Sequence, residues 1–128
     1  MNFVCKEIAI SDDELGCSVT FSEKADENIF DTKMTVDEIM NSIGRYVMLE
    51  RTYGEDEFEE DYFYFEASEF EKSGEIKEIS IYLTETTCIL FFKNEKYEIQ
   101  ISPDKRVFGE LKEVLFKIID QRGKLTIQ

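Results

Sequence analysis

The chain has 128 residues and a mass of 15.1 kDa, the length of one domain spanning residues 1–128. Its 42% hydrophobic content, with 11 Phe and 6 Tyr, can fill a core without disulfides or metal, which excludes a disordered chain. Fifteen Lys and Arg against 29 Asp and Glu leave a net charge of −14, so phosphate backbones and anionic lipid are repelled, and neither nucleic acid nor a membrane is expected as a direct partner.

Phe3 to Ile10 reads as a first strand that meets a turn at Ser11-Asp12-Asp13-Glu14. Cys17, Val19 and Phe21 alternate with Ser18, Thr20 and Ser22, the period-two pattern of a strand with one buried face. Glu23 to Lys33 has no such period and reads as a loop. Thr35-Val36-Asp37-Glu38 is a capping box, and Val36, Ile39, Met40 and Ile43 form one apolar stripe closed by Gly44, so a short amphipathic helix is predicted there. Tyr46-Val47-Met48-Leu49 reads as a strand covered on both faces, and the aromatic run Tyr62-Phe63-Tyr64-Phe65 reads as a similar one. Ile79, Ile81 and Leu83, then Cys88 to Phe92, then Tyr97, Ile99 and Ile101 make three strands joined by short turns, an antiparallel meander. Ser102-Pro103-Asp104 supplies a cap with proline at the first helical position, and Val107, Phe108, Leu111, Val114, Leu115, Ile118 and Ile119 recur at helical spacing. Gly123 should end this helix, and Leu125 and Ile127 allow a last short strand. The sum is an α+β domain: an antiparallel sheet of about six or seven strands around the meander, a C-terminal amphipathic helix on one face and a short additional helix.

The absent residues are as informative as the present ones. There is no histidine, which removes Ser-His-Asp and Cys-His catalysis and every histidine-containing zinc site. Cys5, Cys17 and Cys88 are too few for a four-thiolate site and too many to pair evenly; Cys17 and Cys88 sit in apolar strand patterns, and the cysteines read as buried thiols. The scattered glycines form no phosphate-cradling loop, and Asp56-x-Phe58 lacks the second acid and the glycine of a calcium loop. With 29 carboxylates, any pairing for glycoside hydrolysis could be drawn, so none is evidence. An enzyme is not expected, nor a cofactor or metal. Met1-Asn2-Phe3-Val4-Cys5-Lys6-Glu7 has no signal-peptide pattern and no segment approaches the ~20 apolar residues of a membrane span, so with unpaired thiols the expected location is cytoplasmic.

The acidity is concentrated. Residues 50–71 hold ten acids and one base, −9, whereas residues 72–128 hold ten bases and nine acids, +1. Glu55, Asp56, Glu57, Glu59, Glu60 and Asp61 surround Phe58, with Tyr53 and Tyr62 at the ends and Glu66, Glu69 and Glu71 beyond. A solvated loop is the ordinary reading of an acidic run, but a solubility tail is poor in aromatics. Acids interleaved with Tyr and Phe fit a surface for a basic partner, with charge for steering and rings for anchoring. The expected contact set is Tyr53, Glu55 to Asp61, Tyr62, Glu66 and Glu69.

Three stretches resemble the bacterial polymorphic-toxin immunity proteins, most closely immunity protein family ten. Tyr46-Val47-Met48-Leu49-Glu50-Arg51 is similar to that family's strand of tyrosine, aliphatics, a polar residue and arginine; Asp61-Tyr62-Phe63-Tyr64-Phe65-Glu66 to its acid, aromatics and glutamate; and Ser73-Gly74-Glu75-Ile76 before Ile79, Ile81 and Leu83 to its glycine-bearing turn into a strand. The chain departs from the family at Glu50, at Gly74-Glu75 and in the stretch from Thr35 to Ile43. The resemblance implies a non-enzymatic inhibitor that binds the catalytic domain of a cognate toxin, commonly a nuclease, and protects the cytoplasm. Three other readings compete. An acidic nucleic-acid mimic would inhibit a host defence nuclease, a small enzyme would work with carboxylates alone, and an adaptor would bind without inhibiting.

Overall fold

The computed structural model of the protein describes residues 1–24, 35 and 44–128. Phe3 and Cys5 are buried at odd positions, whereas Ile8 and Ile10 pack on the core from even ones. One strand cannot point both sets inward, because its side chains alternate. The chain therefore breaks at Lys6. The Cys5 N–H donates to the Gln100 carbonyl and the Lys6 N–H to the Ser22 carbonyl, each at 2.8 Å. The single strand expected from Phe3 to Ile10 is thus two, β1 (Asn2–Val4) and β2 (Glu7–Asp13), in different sheets. β2 also runs through Ser11, Asp12 and Asp13, three of the four residues expected to turn. The reversal comes at Glu14 and Leu15, where Asp13 Oδ1 accepts from the Leu15 N–H at 2.8 Å and the Gly16 N–H at 3.3 Å.

From β2 an antiparallel sheet continues in sequence order through β3 (Gly16–Ser22), β4 (Tyr46–Thr52), β5 (Tyr62–Ala67) and the two-residue β6 (Gly74–Glu75), with a 3₁₀ turn at Phe70–Lys72. β7 (Ile79–Leu83), β8 (Thr87–Phe92) and β9 (Glu95–Gln100) form the predicted meander. Lys93 and Asn94, both at positive φ, make the two-residue turn between β8 and β9. Helix α1 (Lys105–Ile119) leads to β10 (Gly123–Ile127), which joins parallel to β7 just as β1 joins parallel to β9. Among the described residues two sheets of five strands stand in place of the one expected, ordered β1-β9-β8-β7-β10 and β2-β3-β4-β5-β6. The reason lies in β4 and β5. Neither is covered on both faces: in β4 Val47 and Leu49 are buried while Tyr46, Met48 and Glu50 are only half-buried, and in β5 Phe63 and Phe65 are buried while Tyr64 and Glu66 are half-buried, so each sheet has one inner face and needs the other as its cover.

The inner faces meet where Phe65 stacks on Phe92, centroids 4.4 Å apart, and tilts against Tyr97 at 5.0 Å. α1 buries Leu111, Val114, Leu115, Ile118 and Ile119, each contributing about 1.5–3 kcal/mol, packing on β2, β3 and β4 of one sheet and touching β10 of the other, as the C-terminal helix of an α+β fold. Its cap is Asp104, whose carboxylate accepts from the Val107 N–H at 2.8 Å, so Pro103 lies before the cap and not inside the helix. Its end is Asp120 at φ 48, not Gly123. The short helix expected over Thr35 to Ile43 lies outside the described residues. Among those described, no helix is long and apolar enough to cross a membrane.

One core group is unsatisfied. The Tyr97 hydroxyl is buried and has no hydrogen-bond partner among the described residues. An orphaned buried hydroxyl costs about 1–3 kcal/mol, so Tyr97→Phe should raise the unfolding free energy by about 1 kcal/mol in urea melts. A loss of stability instead would mean that the hydroxyl is bonded.

Candidate protein-binding surface

β4 and β5 are joined by residues 53–61, the most acidic part of the chain. Like charges so close should splay this connection, yet specific bonds fold it. Asp56 Oδ1 accepts from the N–H groups of Phe58 at 2.8 Å and Glu59 at 3.0 Å, a carboxylate turn that mimics a backbone one. The Gly54 N–H donates to Asp61 Oδ1 at 2.9 Å. Only glycine fits there, because a Cβ on residue 54 would run into the Glu59 carbonyl.

Behind the turn stands Arg51 on β4, whose side chain is about one-fifth exposed (21%). Its Nε and Nη2 reach Asp61 Oδ2 at 2.9 and 2.7 Å, and its Nη1 donates to the Lys117 carbonyl near the end of α1 at 2.7 Å. The guanidinium also lies 5.0 Å from the centroid of Phe63 and 5.4 Å from that of Tyr53, while Arg122 lies 4.3 Å from Phe63. The Gly54 N–H and then Arg51 hold the Asp61 carboxyl below its usual range. Asp61 is therefore a brace at the root of the turn. Tyr53 is at the root as well, half-buried beside Arg51, and burial, then the neighbouring Cys17, pushes its hydroxyl up.

What remains at the tip is Glu55, Asp56, Glu57, Phe58, Glu59 and Glu60, all exposed. Phe58 is 89% exposed, and none of the five carboxylates forms an ion pair among the described residues. Tyr62 adjoins them at the start of β5, half exposed and stacked on Tyr64 with centroids 6.2 Å apart. Glu66 and Glu69 are not part of this tip. They lie at and beyond the far end of β5, roughly 3.3 Å further per residue. Glu66 accepts from the hydroxyls of Tyr46 at 2.8 Å and Tyr64 at 3.3 Å, and Glu69 pairs with Lys72 at 2.7 Å. Burial, and then Glu66, push the Tyr46 hydroxyl up to about 12.

The registers reveal a surface that the strand patterns alone did not suggest. Tyr46, Met48 and Glu50 point outward beside Tyr62, Tyr64 and Glu66, with Glu75 next to Tyr64 and with Ser18, Thr20 and Ser22 on the other flank. No Lys or Arg occupies an outward position on β2 to β6. The signal is present in the sequence as tyrosine and glutamate at equal parity in both strands, hidden when the first is taken as a doubly covered run. The thiols offer no alternative chemistry. All three are free and buried, and burial pushes Cys5 and Cys17 up and Cys88 to about 12, which keeps them protonated. Among the described residues no three Cys, Asp or Glu side chains are grouped to hold a metal ion. No protein-family model, curated protein or solved structure matches this chain.

Proposed function

We propose that this protein is a non-catalytic inhibitor that binds and neutralises one basic toxin domain, a nuclease by class, in the cytoplasm. The observation that supports it is the braced acidic turn: an 89% exposed phenylalanine among five carboxylates that form no ion pair among the described residues, held forward by Asp56, Asp61 and Arg51. A nuclease active site is basic because it grips phosphate, and a preformed acidic surface meets it without the cost of ordering a flexible loop. The toxin as partner and the nuclease as its class come from the resemblance of residues 46–83 to immunity proteins. The turn itself argues only for a basic partner.

The test is co-expression with the basic domain encoded beside this gene, scored by cell survival and by binding kinetics at two salt concentrations. Glu57, Glu59 and Glu60 all changed to Lys should slow association and flatten its salt dependence, since rim charges act mainly on the encounter. Asp61 is left intact because it holds the turn together. Phe58→Ala should speed dissociation and cost about 2 kcal/mol, close to thirty-fold in affinity. Full protection by the folded triple variant, with an unchanged salt slope, would reduce the turn to a solvated loop. Capture of a phage or plasmid target in place of an adjacent toxin would favour the nucleic-acid-mimic reading.

A further inference from the structure

Among the described residues β10 forms one edge of its sheet and is bonded on one side only. The Ile79 N–H donates to the Arg122 carbonyl and the Gln128 N–H to the Leu83 carbonyl, both at 3.0 Å. In a parallel ladder bonding groups alternate, so the even-numbered residues of β10 face β7. The N–H and C=O groups of Gly123, Leu125 and Ile127 point off the sheet, and no described residue bonds to them.

An open groove of about 550 Å³ lies beside this edge, between β10 and α1. Phe116, Leu125 and Ile127 give it an apolar floor, and along the helix its rim carries Gly109, Lys112 and Glu113, with Lys117 engaged by Asp12. Phe116 is 74% exposed, and a Cβ on Gly109 would meet nothing within 4 Å. A helix face that presents phenylalanine to water beside an unpaired strand is unfinished as packing. The charge also reverses here. Residues 105–128 hold six bases and three acids, +3, in a chain of −14. Lys112 and Lys124 form no ion pair among the described residues.

We propose that the β10 edge is a strand-addition site for an extended, acidic segment of another protein, a second interface independent of the acidic turn. The unpaired groups call for backbone, so an extended peptide is the ligand that satisfies them. Side chains on one face of an added strand would enter the groove against Phe116 and Ile127, and those on the other would pass Lys124. Charge selects the partner. A second copy would set Lys124 against its own likeness, whereas Asp or Glu on the face of the incoming strand turned away from the groove would meet Lys124.

The probes are two capped peptides of roughly eight residues, one alternating valine with glutamate and the other valine with lysine. The glutamate peptide should bind the whole protein at least about tenfold more tightly than the lysine peptide and lose affinity as salt rises. It should slow amide exchange at Leu125 and Ile127, and N-methylation of its alternate residues should abolish binding. Phe116→Ser and Lys124→Glu, both at exposed positions, should each weaken binding at least about fivefold with an unchanged melting temperature. Four results would overturn the proposal: no binding at about 1 mM, equal binding of the two peptides, protection confined to other amides, or a concentration-dependent dimer that protects Leu125 and Ile127 without peptide. The N-methylated peptide needs no variant, so the test survives if a substitution disturbs folding.

Discussion

Arg51→Met is expected to lower the unfolding free energy by about 3 kcal/mol and to release the acidic turn from the body of the protein. Charge-assisted bonds contribute about 1.5–3 kcal/mol each when largely withdrawn from water, and cation–π contacts about 0.5–1. Arg51 makes the first kind with Asp61 and with the Lys117 carbonyl, and the second with Tyr53 and Phe63. Methionine keeps much of the packing but leaves Asp61 with only the Gly54 N–H, beside carboxylates that already repel it. Arg51→Lys should recover part of the loss and not all, because an ammonium cannot serve Asp61 and Lys117 as one planar fork does. Amide exchange at Phe58 and Glu59 should accelerate in step with the loss. Acid acts in the same direction. The Asp61 carboxyl is depressed in the folded protein, so its contribution is present above the ordinary carboxylate range and fades as pH falls through the lower, folded value. In Arg51→Met that part of the acid dependence should shrink. A variant as stable as the parent, with slow exchange at Phe58, would show that the turn does not lean on Arg51.

How much of the molecule is legible in its sequence depends on whether the cause is local. Strands Cys17 to Phe21 and Ile79 to Ile101, and the helix through Leu111 and Ile118, carry their own period, and the structure agrees with each. The parting of β1 and β2 into different sheets rests on a parity change between Cys5 and Ile8 that is visible in the sequence but has meaning only once alternation is followed across Lys6. The partnership of β1 with β9 and of β10 with β7 is not local at all, since parallel neighbours lie far apart in the chain. The candidate site divides in the same way. Composition locates the acids and Phe58, but it cannot distinguish Asp61, which braces, from Glu59, which is free to meet a partner, because that depends on Arg51 reaching back from β4. Nor can it separate Glu69 from the tip, since the length of β5 sets that distance.

Gly123 shows a local signal with a distant cause. A glycine after a helix suggests the left-handed residue that ends it, and substituting alanine there would cost about 1 kcal/mol. Yet positive φ belongs to Asp120, at φ 48 and ψ −117, and not to Gly123. Gly123 opens β10 so close to β7 that a Cβ would run into the Ile79 carbonyl, backbone that cannot turn aside. Gly123→Ala must therefore shift β10 or strain the ladder, with an expected loss of about 3 kcal/mol at the upper end of overpacking costs. Asp120→Gly should do the opposite. A side chain held in that backbone region costs about 1–3 kcal/mol, against which glycine brings about 0.5–1 in chain entropy. The ion pair between the Asp120 carboxylate and Arg51 is long, 3.8 Å, and half exposed, so removing it takes little away and a net gain of about 1 kcal/mol is expected. Urea melts of the two variants decide between the roles. If Gly123→Ala costs no more than about 1 kcal/mol while Asp120→Gly destabilises, the helix ends at the glycine after all, and β10 is held less closely to β7 than its register implies.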